Sequence, residues 1–285
     1  LIALLSISIP TLINIYDVKF TSNFNIGISI TETSVLVILV LLGLSHWNFK
    51  SVFNGFNLNG IIYGAFLSVL AYSGYEALPK LSEETKDSKT VIPDAIISSL
   101  IVIIFLYSTV SITTNSVLGS KEVSNCLNPI TKTFEKLTTY NVNGIINFVT
   151  LFSMFNTILL TILIVSRQIY GISKEQNFIP IFDKYISKVN PKTKTPINAI
   201  LLVSLLTIIG ACFANIEWFN HSANLLLFFI FIIVNISAIV LNYKEHTNLS
   251  KEQETNKKWY QKFKFHSVIG LISSIGLFIF SFTQI

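Results

Sequence analysis

Residues 60–87 read GIIYGAFLSVLAYSGYEALPKLSEETKD. The stretch begins as an apolar run, then meets Ser73, Gly74 and Glu76 before any loop is due. In hydrocarbon every backbone N–H and C=O needs a partner within its own segment, so an unbroken helix is the default. Glycine weakens a helix, and an ionised glutamate at membrane depth is costly. Together they predict a helix that opens around Tyr72 to Glu76 and restarts near Ala77. The restarted N-terminus would offer N–H donors and partial positive charge to an anion such as an amino-acid carboxylate. The competing reading is a glycine where two helices pack closely, with Glu76 reaching toward water at the inner interface.

The rest of the chain supports a membrane setting. It is 51% hydrophobic and only 12% charged, with a mean hydropathy of +0.63. A soluble domain carries about 25% charged residues. Eight stretches reach or approach the roughly 20 apolar residues that cross a bilayer: 1–16, 26–47, 60–79, 93–118, 143–167, 197–216, 217–242 and 267–285. The fold class expected is therefore an all-α polytopic membrane protein, one transmembrane domain over residues 1–285.

Charge placement orients it. Assigned alternately to two sides, the connections 14–29, 80–94, 167–196 and 243–266 hold 16 of the 20 lysines and arginines. Positive loops stay cytoplasmic, so the net charge of +5 is a topology signal, and no nucleic-acid partner is expected. The partner is the lipid bilayer, with a multi-pass location in the plasma membrane. Trp47, Trp218 and Trp259 sit at span ends, as an aromatic belt predicts. "NPITKTFEKL" in the outer connection 120–142 predicts a short surface helix, and Pro93 is placed at the first helical position of its span. Cys126 and Cys212 lie in a loop and a span, an improbable disulfide. Leu1 opens and Ile285 closes the sequence inside apolar runs, and Met154 is the one methionine, so a piece of a longer polypeptide is expected.

Enzyme signatures are missing. Four scattered histidines give no H-E-x-x-H, and neither a G-x-S-x-G elbow nor a G-x-x-x-x-G-K-[ST] loop occurs. No cofactor, metal or nucleotide-driven step is expected.

"AYSGYEALPKLSEETKDSKTVIPDAI" (71–96) resembles the sixth helix and following loop of amino-acid permeases of the amino acid–polyamine–organocation superfamily. Gly74, Glu76, Glu83, Glu84, Asp87, Ile92, Pro93 and Ala95 match in register, with Tyr72 in an aromatic slot. "SRQIYGISKEQNFIPIFDKYISKVNPKTKTPINAI" is similar to the loop after the eighth helix, and "FIFIIVNISAIVLNY", with Asn235, to the tenth. The resemblance covers nearly the whole chain, as helices four (partial) to eleven. It implies the leucine-transporter-type inverted-repeat fold, with residues 60–243 as the complete second five-helix repeat.

It also implies secondary active transport of an amino acid or related amine by alternating access, driven by a proton or cation gradient or by exchange. The alternative is a non-transporting relative: a nutrient sensor, an accessory subunit or a decayed fragment. Tyr72, Ser73, Gly74, Tyr75 and Glu76 fall where permeases line the substrate cavity. Glu76 either holds the opened segment or carries a coupled proton, or else simply ties structurally onto backbone N–H groups of the restarted helix. Val69 stands where the family often has an aromatic gate.

Glu32 is intramembrane by these limits, a functional hypothesis by default, or else a hydrated group near the inner surface. Many proton-coupled relatives carry a lysine at about this position. Ser153, Asn156, Thr157 and Thr161 match a helix on which sodium-coupled relatives bind an ion. Their plainer reading is hydrogen bonding to their own backbone. Arg167 is read as an inner-end anchor, and Glu217, His221 and Asn224 as solvated polarity at the outer entrance of a span.

Overall fold

The computed structural model describes residues 2–16, 18–49, 57–75, 78–79, 85–175, 180–191, 193–213, 215–248 and 265–282. Among them all regular structure is helical. In chain order the α-helices are α1 (Ile2–Tyr16), α2 (Val18–Gly43), α3 (Leu58–Tyr72), α4 (Ser88–Leu118), α5 (Ser120–Ser124), α6 (Pro129–Leu137), α7 (Asn143–Lys174), α8 (Pro180–Ile186), α9 (Ile197–Phe213), α10 (Ile216–Asn248) and α11 (Phe265–Phe282). Four segments are long and apolar enough to cross a membrane: Thr21–His46, Ser88–Leu118, Asn143–Lys174 and His221–Leu241. Four shorter apolar helices, α1, α3, α9 and α11, fall on the remaining apolar stretches.

Helix ends depart from the hydropathy limits. The connection expected at 14–29 is helical from Val18. Arg167, expected at the end of its helix, lies two turns before the end of α7 at Lys174. Pro93 is internal, because α4 already starts at Ser88 behind Asp87, whose carbonyl receives the Thr90 and Val91 N–H groups. In each case polar residues continue a helix past its apolar stretch, where water can satisfy their side chains. The expected surface helix is present as α6, with Pro129 in its first turn, where the missing N–H has no intrahelical acceptor to lose. Its Phe134 is buried.

The chain divides into two compact units, residues 1–56 with 72–213, and residues 57–71 with 214–285. In the first, α1, α7 and α9 close around Ile7, Ile162, Ile200 and Val203. Polar groups are tied inside this packing: Asn14 donates to the Leu159 carbonyl at 2.9 Å, Thr195 to the Ile15 carbonyl at 3.0 Å, and Thr11 lies 2.7 Å from Ser204 Oγ. A second cluster joins Leu39, Phe134 and Ile146.

Contacts fix the sense of travel. Glu32 lies near Tyr107, Gly43 meets Thr113 and the Asn48 N–H donates to Ser116 Oγ, in ascending order, so α2 and α4 run parallel. Phe24 meets Phe152 and Phe155 while Leu39 meets Ile146, so α7 runs antiparallel to α2.

Gly43 is a close approach of α2 to α4. A Cβ there would stand 2.2 Å from Thr113 Cγ2. Thr113 cannot easily turn away, because its hydroxyl bonds the Thr109 carbonyl at 2.8 Å and receives Trp47 Nε1–H at 2.9 Å. Gly43→Ala is expected to cost about 1–3 kcal/mol, the usual penalty of overpacking, read as a lowered Tm in detergent.

Beyond α4, Glu122 of α5 holds Lys136 at 2.6 Å and Lys132 at 2.9 Å, both from α6. The Lys136 hydrogen bond first, and then that of Lys132, carries the Glu122 carboxyl below its ordinary value of 4.5. A lowered folded-state value contributes stability above the ordinary one and loses it as pH falls through the lowered one. The Tm advantage of wild type over Glu122→Gln is expected to be small, because the pair is exposed, and to vanish in acid.

In the second unit, Phe66 of α3 is 1% exposed. It is packed by His221 and Phe228 of α10 and Phe280 of α11, with ring centroids 5.5–6.0 Å away. α10 and α11 meet closely at Gly270, where a Cβ would lie 2.5 Å from Asn235 Oδ1. Asn235 meanwhile donates to the Phe231 carbonyl of its own helix at 2.8 Å.

Candidate functional site

α3 ends at Tyr72, and Ser73 and Gly74 form a turn. Gly74 has φ +118°, a backbone conformation that side-chain-bearing residues rarely adopt. Among the described residues nothing lies within 4 Å of the place a Cβ would take, so what they demand of this position is conformation. Tyr75 follows in a 3-10 turn. Glu76 and Ala77, the leading carboxylate and the expected restart, lie outside the described residues.

The tyrosine at the helix end is held from the side. Tyr72 and Tyr107 of α4 pack with ring centroids 5.3 Å apart and planes tilted by 60°. Tyr107 is also within electrostatic reach of the Glu32 carboxylate on α2. One oxygen of that carboxylate, Oε1, is fully shielded and has no hydrogen-bond partner among the described residues. A buried acceptor without a donor costs about 1–3 kcal/mol, more when charged. Two regions singled out separately in the sequence, Glu32 and Tyr72, therefore converge, with Tyr107 between them. Tyr107 was missed: in "LIVIIFLYSTVS" (100–111) it follows Phe105 and precedes Ser108 and Thr109, and nothing in its spacing marks it.

The hydroxyl-bearing face of α7 has a different arrangement. Thr157 donates to the Ser153 carbonyl at 3.0 Å and Thr161 to the Thr157 carbonyl at 2.8 Å, and both threonines are exposed. Asn156 is turned the other way. It is 5% exposed and its Nδ2 donates to Asn25 Oδ1 of α2 at 2.9 Å. Asn25 was hidden in the sequence because its segment reads as a connection. Val69 of α3 is half-buried. Asn224, expected to be solvated, is 3% exposed, with its Oδ1 and the neighbouring His221 Nδ1 shielded; α10 presents them on the face that carries Phe228. The Glu217 side chain lies outside the described ones.

A family model for amino acid permeases matches residues 1–285. The chain belongs to the amino acid permease family. Among curated relatives, it is 24% identical to cationic amino acid transporter 7, chloroplastic, of Arabidopsis thaliana, over 85% of this chain and 43% of that protein. It is 26% identical to the methylthioribose transporter of Bacillus subtilis (strain 168), over 80% and 49%. With the branched-chain amino acid permease BcaP of the same bacterium it shares 24% identity over 74% and 45%. This permease-family chain thus spans less than half the length of these three relatives. The family and these relatives are membrane transporters, not enzymes. Family membership and the four long apolar helices make this chain an integral multi-pass membrane protein.

Proposed function

We propose that the protein is a secondary transporter of an amino acid or related amine, working by alternating access around the break at Tyr72–Gly74. The observation that carries this reading is the half-buried Glu32, with its Oε1 shielded, near Tyr107, which in turn packs on Tyr72. Intramembrane carboxylates and interrupted helices are the parts from which transporters build coupling and substrate sites. The left-handed turn at Gly74 supports a discontinuous helix whose loose ends, Ser73 and Gly74 above all, hold the cargo's charged groups.

In this reading all eight apolar helices cross the plasma membrane, and the lysine-rich connections face the cytoplasm. Residues 60–243 form an inverted five-helix repeat. Tyr72, Ser73, Gly74, Tyr75 and Glu76 line the substrate site. Glu32 takes the coupled proton, with Glu76 and the α7 residues Ser153, Asn156 and Thr157 as further coupling groups. The names of the relatives span cationic and branched-chain amino acids and methylthioribose, which supports a shared transport device with a variable cargo pocket.

The test is uptake of tritiated leucine and tritiated arginine by proteoliposomes carrying the full-length protein, with and without an imposed proton gradient. Accumulation above equilibrium supports transport. Saturable binding without uptake overturns it in favour of a sensor or accessory role.

A further inference from the structure

We propose that the exposed face of α8 and the chain leaving it form a docking surface for acidic phospholipid of the cytoplasmic leaflet, with Lys184 and Lys188 at the phosphates and Phe182, Tyr185 and Val189 among the first acyl carbons. The proposal rests on the reading that the lysine-rich connections face the cytoplasm.

One side of α8 is committed to the protein. Asp183 and Ile186 are 2% and 5% exposed. The Tyr185 carbonyl accepts from Asn198 Nδ2 of α9 at 2.7 Å. Past the helix, the Asn190 N–H donates to the Thr195 carbonyl at 3.0 Å, and the Thr195 hydroxyl donates in turn to the Ile15 carbonyl of α1. These ties seat α8 on its neighbours in one orientation.

The other side is open. Phe182, Tyr185 and Val189 are 50%, 59% and 41% exposed, and Lys184 and Lys188 between them are exposed as well. Lys188 Nζ lies 5.2 Å from the centre of the Tyr185 ring, within cation–π range, which stations its charge beside the aromatic ring.

Two of the bonds set the depth of this face. Asn198 is in the first turn of α9, and Ile15 is in the last turn of α1. Both helices are apolar, so α8 lies level with the ends of apolar helices, where hydrocarbon gives way to headgroups. Aromatic rings and lysines suit that level: rings and methylene stems turn toward the acyl chains while the charge stays among the headgroups. A soluble partner would have to reach the same face where lipid is the solvent.

Charge selects the lipid. The connection 167–196 holds six lysines and arginines against two acids, Glu175 and the buried Asp183. Basic segments beside a membrane helix draw the acidic lipids of the cytoplasmic leaflet. Lys184 and Lys188 are the basic residues that share the open face with its aromatic rings.

The experiment places the full-length protein in nanodiscs, with its native cysteines, Cys126 and Cys212 among them, changed to serine and Val189→Cys labelled with bimane. Quenching is measured with nitroxide-bearing phosphatidylglycerol and with nitroxide-bearing phosphatidylcholine, each diluted into plain phosphatidylcholine. Phosphatidylglycerol is expected to quench at roughly tenfold lower content, a factor that two lysines at an acidic surface can supply. Lys184→Gln with Lys188→Gln is expected to bring the two lipids level, and Phe182→Ser with Tyr185→Ser to weaken quenching by both. Absence of quenching by either lipid, as when water or a protein covers the face, overturns the proposal. So does equal quenching by both lipids with the lysines in place, or a preference that survives Lys184→Gln with Lys188→Gln. The side of the membrane is measured separately, with an impermeant maleimide on Val189→Cys in cells. Reaction from outside intact cells overturns the cytoplasmic reading and the proposal with it. Reaction only after permeabilisation, with no lipid preference, overturns the docking surface and leaves the topology standing.

Discussion

Gly74→Leu is expected to abolish uptake while the protein still reaches the membrane. At φ +118° a side-chain-bearing residue pays about 1–3 kcal/mol of backbone strain, and the cheapest relief is to let α3 continue as ordinary helix. That would erase the turn after Tyr72 and withdraw the Ser73 and Gly74 backbone groups from any cargo. Because the described residues leave the place of the missing Cβ open, conformation is expected to outweigh size, and Gly74→Ala should fall close to Gly74→Leu. Surface labelling alongside leucine and arginine uptake checks both. A fully active Gly74→Leu removes the break from the mechanism, and an active Gly74→Ala beside a dead Gly74→Leu makes the constraint steric.

Glu32→Gln is expected to lose gradient-driven accumulation by about a hundredfold and to retain exchange. Glutamine keeps the size and one acceptor oxygen but cannot alternate between charged and neutral forms. Holding an ionised carboxylate at membrane depth costs about 2.5–3.5 kcal/mol, which corresponds to roughly a hundredfold in an equilibrium constant. Under the proposed coupling role of Glu32, that is the difference the amide forfeits. Driven uptake at wild-type level in Glu32→Gln would place the coupling elsewhere.

Much of the architecture was legible in the sequence because hydrophobicity is a property of each residue alone. The apolar stretches mark where helices fall, and Asn-Pro ahead of an amphipathic run marks α6. Helix ends were not legible at Val18, Ser88 and Lys174, since the residues there are polar but still helical. The candidate site was legible only in parts. Glu32 and Tyr72 announce themselves as odd residues in apolar runs. Their convergence depends on the parallel packing of α2 and α4, and Tyr107 and Asn25 gain meaning only from the neighbours that packing supplies. Asn224 shows the converse: a polar residue near a helix start reads as wet, and the aromatic packing around Phe66 makes that position dry.

The close approach of Asn235 to Gly270 has a mechanical consequence. A hydrogen-only residue under a side-chain amide acts as a notch: shifting α11 by one position along α10 would set Leu271 or Ile269 against a group that needs a polar or near-backbone neighbour. Such a slip strands the amide oxygen in an apolar setting, at about 1–3 kcal/mol. The two helices are therefore geared together. A displacement of α10 is therefore expected to carry α11 with it.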